Sequence, residues 1–180
     1  ASETLARIFV AWRRNWWPLC VVVSPRGWRS KSSTPRSDSS SLIASVIEDC
    51  EMESACAAPD TVALRTKSGI VGMADLVRST LRLRPDRIIV GAVRGAEALD
   101  MLKAWNTGHP GGIATVHANS AHAALSRLEQ LVAEGVVTVP RRLIADAIDM
   151  VVFISGRGTG RRIETVAEVA GLDSSGGYAV

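Results

Sequence analysis

Three short stretches of this 180-residue chain carry residue types that could do chemistry. The first is "TGHPGGIATVHANS", Thr107 to Ser120, where Gly108, Gly111 and Gly112 stand beside His109 and His117. Glycines let the backbone approach a ligand closely and histidines titrate near neutrality, so such a loop suits a phosphate. An ordinary glycine-rich turn from helix to strand reads the same way. Zinc is disfavoured, because His109, His117 and His122 have no cysteine or carboxylate at metal-ligand spacing. The second stretch, "VIEDCEME", Val46 to Glu53, is an apolar lead into Glu48, Asp49, Glu51 and Glu53. Carboxylates at the carboxyl end of a strand can hold a magnesium-bound water or orient a nucleophile, and a solvated acidic turn is the plainer alternative.

The third stretch, "VVVSPRGWRSKSST", sets a short apolar run before Lys31 and Ser32. A phosphate-cradling loop is written G-x-x-x-x-G-K-[ST], so that successive N–H groups face the phosphates and the lysine meets the outer ones. Lys31 and Ser32 fit its last two places, with Ser32 as the magnesium ligand. The glycine places hold Pro25 and Ser30, however. Proline removes an N–H and fixes φ, and Ser30 brings a Cβ, so the match is weak.

These residues need elements to position them. "MADLVRSTLRL", Met73 to Leu83, places its apolar residues mostly on one helical face and stops before Pro85. Ile88 to Val90 is a short buried strand that ends on Gly91 and Ala92. Its position invites a functional side chain, yet it delivers a methyl group. "GAEALDMLKAWNTG" predicts a helix ending at Gly108, Ala114 to His117 a strand, and Ser120 the N-cap of a helix closing on Gly135. "PRRLIADAI" predicts a helix, "DMVVFISG" a strand through Val151 to Ile154, and "RRIETVAEVAG" a last strand. This order implies an α/β fold with a mostly parallel sheet and helices on its faces.

Composition narrows the class. Hydrophobic residues make up 47% of the chain, enough for one ordinary core, and the formal charge of +3 permits contact with phosphate without demanding it. Cys20, Cys50 and Cys56 form neither a CxxC pair nor an even framework, which fits a reducing compartment. No apolar run approaches the ~20 residues that cross a bilayer, since Phe9 to Val23 is broken by Arg13, Arg14 and Pro18. A soluble chain is therefore expected.

Taken together, "LVRSTLRLRPDRIIVGAVRGAEALDMLKAWNTGHPGGIATVHANSAHAALSRLEQLV" resembles the C-terminal ATPase domain of the traffic ATPases of type II and type IV secretion and conjugation. The likeness runs from about Glu48 to Tyr178. It implies a RecA-like P-loop NTPase core that uses ATP and Mg2+. It also implies a homo-hexamer, cytoplasmic and peripheral at the inner membrane, working with inner-membrane components of a conjugation or secretion machine. By position, "GHPGGIATVHA" resembles the family's His box. His117 then reaches toward the γ-phosphate, while Gly108, His109, Gly111 and Thr115 shape the loop. "IEDCEME" resembles the Asp box, with Glu48 and Glu53 as catalytic carboxylates and Glu48 also near the metal. "RIIVGAVRG" resembles the Walker B stretch, with Gly91 and Arg94 at the nucleotide. The family carries glutamate after the glycine, and here that residue is Ala92.

The resemblance thus implies an ATPase subunit powering DNA or protein export, impaired in this chain at both nucleotide-handling loops. Residues 1–45 are expected to be an irregular, degenerate remnant of the Walker A region, and residues 46–180 the RecA-like domain, its first strands incomplete. Ser24 to Ser41 is linker-like and expected to be disordered. Its tryptophan, arginine and serine excess is what translation in a wrong frame yields, so a truncated or frame-disturbed copy, or an inactive ring subunit, is the alternative. A third reading takes Arg13, Arg14, Arg26, Arg29, Lys31 and Arg36, interleaved with Trp12, Trp16, Trp17 and Trp28, as a single-strand nucleic-acid surface. Because that cluster lies in the degenerate segment, direct nucleic-acid binding is not expected.

Overall fold

The computed structural model describes residues 19–23, 42–47, 60–109, 111–156 and 160–180, with 19–23, 42–47 and 60 described by their backbone. Seven strands form one sheet: β1 (Leu19–Val23), β2 (Leu42–Ile47), β3 (Asp60–Arg65), β4 (Arg87–Val90), β5 (Ile113–His117), β6 (Met150–Ser155) and β7 (Arg162–Glu168). Their order across the sheet is β3-β2-β4-β5-β1-β6-β7. The helices are α1 (Met73–Thr80), α2 (Glu97–Asn106), α3 (Ala121–Ala133) and α4 (Arg141–Ala147). A small hairpin, β8 (Gly171–Leu172) with β9 (Tyr178–Ala179), ends the chain.

The central strands are continuous apolar runs because both of their faces are covered. Ile88, Ile89 and Val90 of β4, Ala114, Thr115 and Val116 of β5 and Val151 to Ile154 of β6 are all buried. At one rim of the sheet β3 alternates instead, Val62 and Leu64 being half-buried while Thr61, Ala63 and Arg65 are exposed. At the other rim β7 leaves Ile163 and Val166 exposed. All four helices join β4, β5 and β6 in one core, built around Met101, Leu102, Leu125, Leu128 and Ile144.

Local chemistry explains the helix ends. Gly72 N–H donates to Asp75 Oδ2 at 3.2 Å at the start of α1, and Ser120 Oγ accepts from Ala123 N–H at 3.1 Å at the start of α3. The predicted helix to Leu83 is shorter as a true α-helix. After Thr80 it tightens into a 3₁₀ turn, Leu81–Leu83, and Arg84 takes φ 52° ahead of Pro85. Ion pairs brace the helices: Arg78 grips Asp100 at 2.9 and 3.1 Å, and Arg141 of α4 grips Glu129 of α3 at 3.0 and 3.1 Å.

Two expectations change. The strands expected at Ile88–Val90, Ala114–His117 and Val151–Ile154 are present, but the sheet is mixed rather than mostly parallel. β2 runs parallel to β3 and β4, and β4 to β5, whereas β1 is antiparallel to both β5 and β6, and β6 to β7. The segment before Val46 is also not irregular throughout, since it contains β1 and most of β2. β1 sits in the middle of the sheet, and the boundary expected between Ser45 and Val46 falls inside β2. The physical reason is that "LCVVV" is apolar throughout. Such a run suits a slot between two buried strands in either direction, so composition fixes its place but not its sense.

Candidate functional site

The carboxyl ends of β4 and β5 are tied together by side chain and backbone. Thr115 Oγ1 donates to Gly91 O at 2.5 Å, and Val93 N–H donates to Thr115 O at 3.0 Å. Gly91, Ala92, Val93 and Thr115 are all buried, so this cross-brace stands in a dry environment where each bond holds the turn firmly. Just past it the chain bends into α2. Glu97 Oε1 accepts from Arg94 N–H at 2.8 Å and from Gly95 N–H at 2.9 Å, so one carboxylate fixes the whole turn after the strand. Ala92 occupies the first position of that turn, 8% exposed, where its methyl can neither ligate a metal nor polarise water.

His117 closes β5 at the same edge. It is half-buried, and its Nδ1 is buried with no hydrogen-bond partner among the described residues. An orphaned buried nitrogen at a strand's carboxyl end is a group waiting for a ligand or a water.

The glycine loop lies elsewhere. Gly108, His109, Gly111 and Gly112 precede β5 and so sit at its amino end, separated from His117 by the strand, about 13 Å at ~3.3 Å per residue. Gly108 and Gly111 adopt φ 108° and 89°, which glycine alone takes without strain. Gly112 has a packing reason: a Cβ there would overlap the Trp105 indole, whose Nε1–H donates to Ile88 O at 3.2 Å. His109 Nδ1 is buried there without a hydrogen-bond partner among the described residues. The loop therefore locks α2 against the start of β4 and β5.

Of the residues expected at the site, the structure gathers Gly91, Ala92, Thr115 and His117 at one edge, with exposed Arg94 in the turn beyond it. It does not bring Gly108, His109 and Gly111 there. Lys31, Ser32, Glu48 and Glu53 lie outside the described residues, although Ile47, directly before Glu48, ends β2 at the same edge as Gly91. Sequence reasoning missed Glu97 and Trp105. Glu97 carried a signal, an acidic residue at the first position of a helix right after a glycine turn, and Trp105 stood out as the one tryptophan beyond residue 28.

Among the described residues, His117 Nδ1 has no hydrogen-bond partner, Ala92 supplies no carboxylate, and no group of three His, Cys, Asp or Glu could hold a metal. No described helix is long and apolar enough to cross a membrane.

The comparisons with known proteins decide the family. The model of the type II/IV secretion system protein family matches residues 37–155. The chain belongs to that family. Within it, the conjugal transfer protein TrbB of Rhizobium radiobacter is 52% identical over 126 residues, which are 70% of this chain and 38% of the relative. The type IV secretion system protein PtlH of Bordetella pertussis is 38% identical over 106 residues, 54% of this chain and 31% of the relative. The chain thus spans well under half the length of these secretion-family relatives. Among solved structures, the VirB11 ATPase of the Brucella suis type IV secretion system, crystallised with sulphate, superposes with a TM-score of 0.62 at 28% identity, covering 73% of this chain and 42% of that one.

Proposed function

We propose that this chain is a ring subunit of a conjugation or type IV secretion motor whose own ATP turnover is impaired. The carrying observation is the cross-braced edge where Gly91 and Thr115 meet beside the orphaned His117 nitrogen, with Ala92 in the place of the family's glutamate. The relatives named for conjugal transfer and type IV secretion support the machine, and the ATPase named among the solved structures supports ATP with Mg2+ as the ligands of intact members. β2 to β5 are then the parallel part of a RecA-like core. The subunit assembles as a homo-hexamer at the cytoplasmic face of the inner membrane, with the machine's inner-membrane components as partners. ATP supplies a transferable phosphoryl group when bound to such a motor. What these residues do themselves is simpler: Thr115 and Glu97 hold the turn after β4 rigid, and His117 presents a nitrogen at the strand ends.

Sedimentation of the purified chain, run beside a phosphate-release assay with magnesium, tests this reading. Ring-sized species with release near background are expected. A monomer at all concentrations would remove the ring subunit. Brisk release that vanishes in Lys31→Ala would show an unimpaired motor instead.

A further inference from the structure

We infer that β7 is a self-pairing edge, at which two copies of this chain join antiparallel about a two-fold axis, Ile163 of each standing opposite Val166 of the other. The inference goes beyond the ring reading and does not rest on it. A closed ring joins two different surfaces head to tail, whereas this contact joins one surface to itself.

β7 ends the sheet and pairs with β6 alone among the described strands. Every residue from Arg162 to Glu168 except Ala167 is exposed, so the outer backbone groups of β7 are a template for another strand. The register within the sheet shows which side chains flank that template. Val166 pairs with Val152, and Ile163 with Ile154. Val152 and Ile154 are two residues apart and share a face of β6, so Ile163 and Val166 share it too, although they are three apart. A bulge opposite Phe153 and Ile154, with Glu164 as the extra residue, makes up the difference. Ile163 and Val166 thereby stand 53% and 59% exposed on one face, while the helical core takes Val151 and Phe153 from the other.

The same bulge selects the register between copies. Residues opposite one another in an antiparallel pair must point to one side, and a regular strand cannot bring residues three apart together about a two-fold axis. Across the bulge it can. Arg162 then meets Ala167 of the second copy, both on the face of Ser155 and Val151, and Arg161 meets Glu168 of the second copy on the other face. Charge on an edge ordinarily deters pairing, but here the two signs are placed to meet. A slip of one residue sends the pairs to opposite faces, and a slip of two sets Ile163 against Glu164 or Glu168. Three pairs on each side of the axis bury less than the ~1,200 Å² of a stable complex, so the association is reversible and dilute chains keep β7 open.

Disulfide trapping reads the register, in full chains carrying Cys20→Ala, Cys50→Ser and Cys56→Ser. One chain adds Ile163→Cys, and a differently tagged chain adds Val166→Cys. Opposite residues lie about 4.5–5.5 Å apart at Cα, within disulfide reach, whereas each residue is displaced about 10 Å along the strand from its own copy. Oxidation of the concentrated mixture is expected to give the mixed dimer and little of either homodimer. No mixed dimer, or homodimers formed as readily, would overturn the inference. Sedimentation of the chain with its own cysteines is the second arm. The unmodified species is expected to double in mass as concentration rises, and Val166→Lys to weaken that doubling tenfold or more. No doubling, or equal doubling in both, would overturn the inference. The two readings fail separately: a chain that pairs through β7 without forming a ring sinks the ring subunit and leaves this inference standing, and a ring that neither doubles nor traps the mixed dimer does the reverse.

Discussion

The parallel half of the sheet, β2 to β5, and the antiparallel half, β1, β6 and β7, are built from similar apolar strands, yet their directions are fixed in different ways. β3, β4 and β5 are joined through α1 and α2 and run in one sense, as parallel strands need a crossover of this kind rather than a tight turn. β6 and β7 lie next to one another in sequence and pair antiparallel. β1 follows no described element, and its five apolar residues carry no directional pattern. The comparison teaches that burial assigns a strand its slot, connections assign its sense, and only the sense decides which edge a loop serves.

The parallel half owes its rigidity to a few bonds around β4 and β5, so breaking them should cost most. Trp105→Ala removes the indole that fills the space over Gly112 and bonds Ile88 O, and is expected to cost about 3–5 kcal/mol in urea unfolding. Thr115→Val keeps the shape and leaves Gly91 O without its buried donor, a loss of about 1–3 kcal/mol, while Thr115→Ser should recover most of it. On the antiparallel rim the same scale of change should do little. Val166 in β7 is 59% exposed, and Val166→Thr is expected to shift stability by less than about 0.5 kcal/mol. A large effect there would mean that β7 is covered in solution.

How much of this was legible follows from the same contrast. β4, β5, β6 and the Ser120 cap were readable because apolar runs and capping residues act locally. Gly91, Ala92, Thr115 and His117 were readable as motif positions, and their gathering at one edge follows from two neighbouring parallel strands. The separation of Gly108–Gly112 from His117 was hidden by treating one motif as one place, although a five-residue strand stands between its ends. The sense of β1 was not legible at all, since "LCVVV" reads alike in both directions. The β8–β9 hairpin was missed because its turn is held by one side chain rather than by an apolar pattern.

That hairpin gives the smallest effect. Asp173 Oδ1 accepts from Ser175 Oγ at 2.6 Å and from the N–H groups of Ser175 and Gly177 at 2.8 Å. The Ser175 hydroxyl first, then the Gly177 N–H, hold the carboxyl below its ordinary 3.8. A depressed carboxylate contributes stability that is present above its unfolded value and is lost as the pH falls through its folded value. The hairpin should therefore loosen only below about pH 4, and Ser175→Ala should bring the Asp173 titration, followed by carboxyl NMR, back toward 3.8.

The claim at the centre of the account is that the β4–β5 edge is incomplete in more than its missing carboxylate. Magnesium-dependent phosphate release by the Ala92→Glu chain tests it most directly, with Ala92→Gln as a control for placing a longer side chain in a buried turn. In a site that lacks more than this carboxylate, restoring it alone does not restore turnover, and release should stay within twofold of the unmodified chain while the protein remains folded by circular dichroism. A rise of tenfold or more, about 1.4 kcal/mol off the barrier, confined to the glutamate variant, would contradict the account.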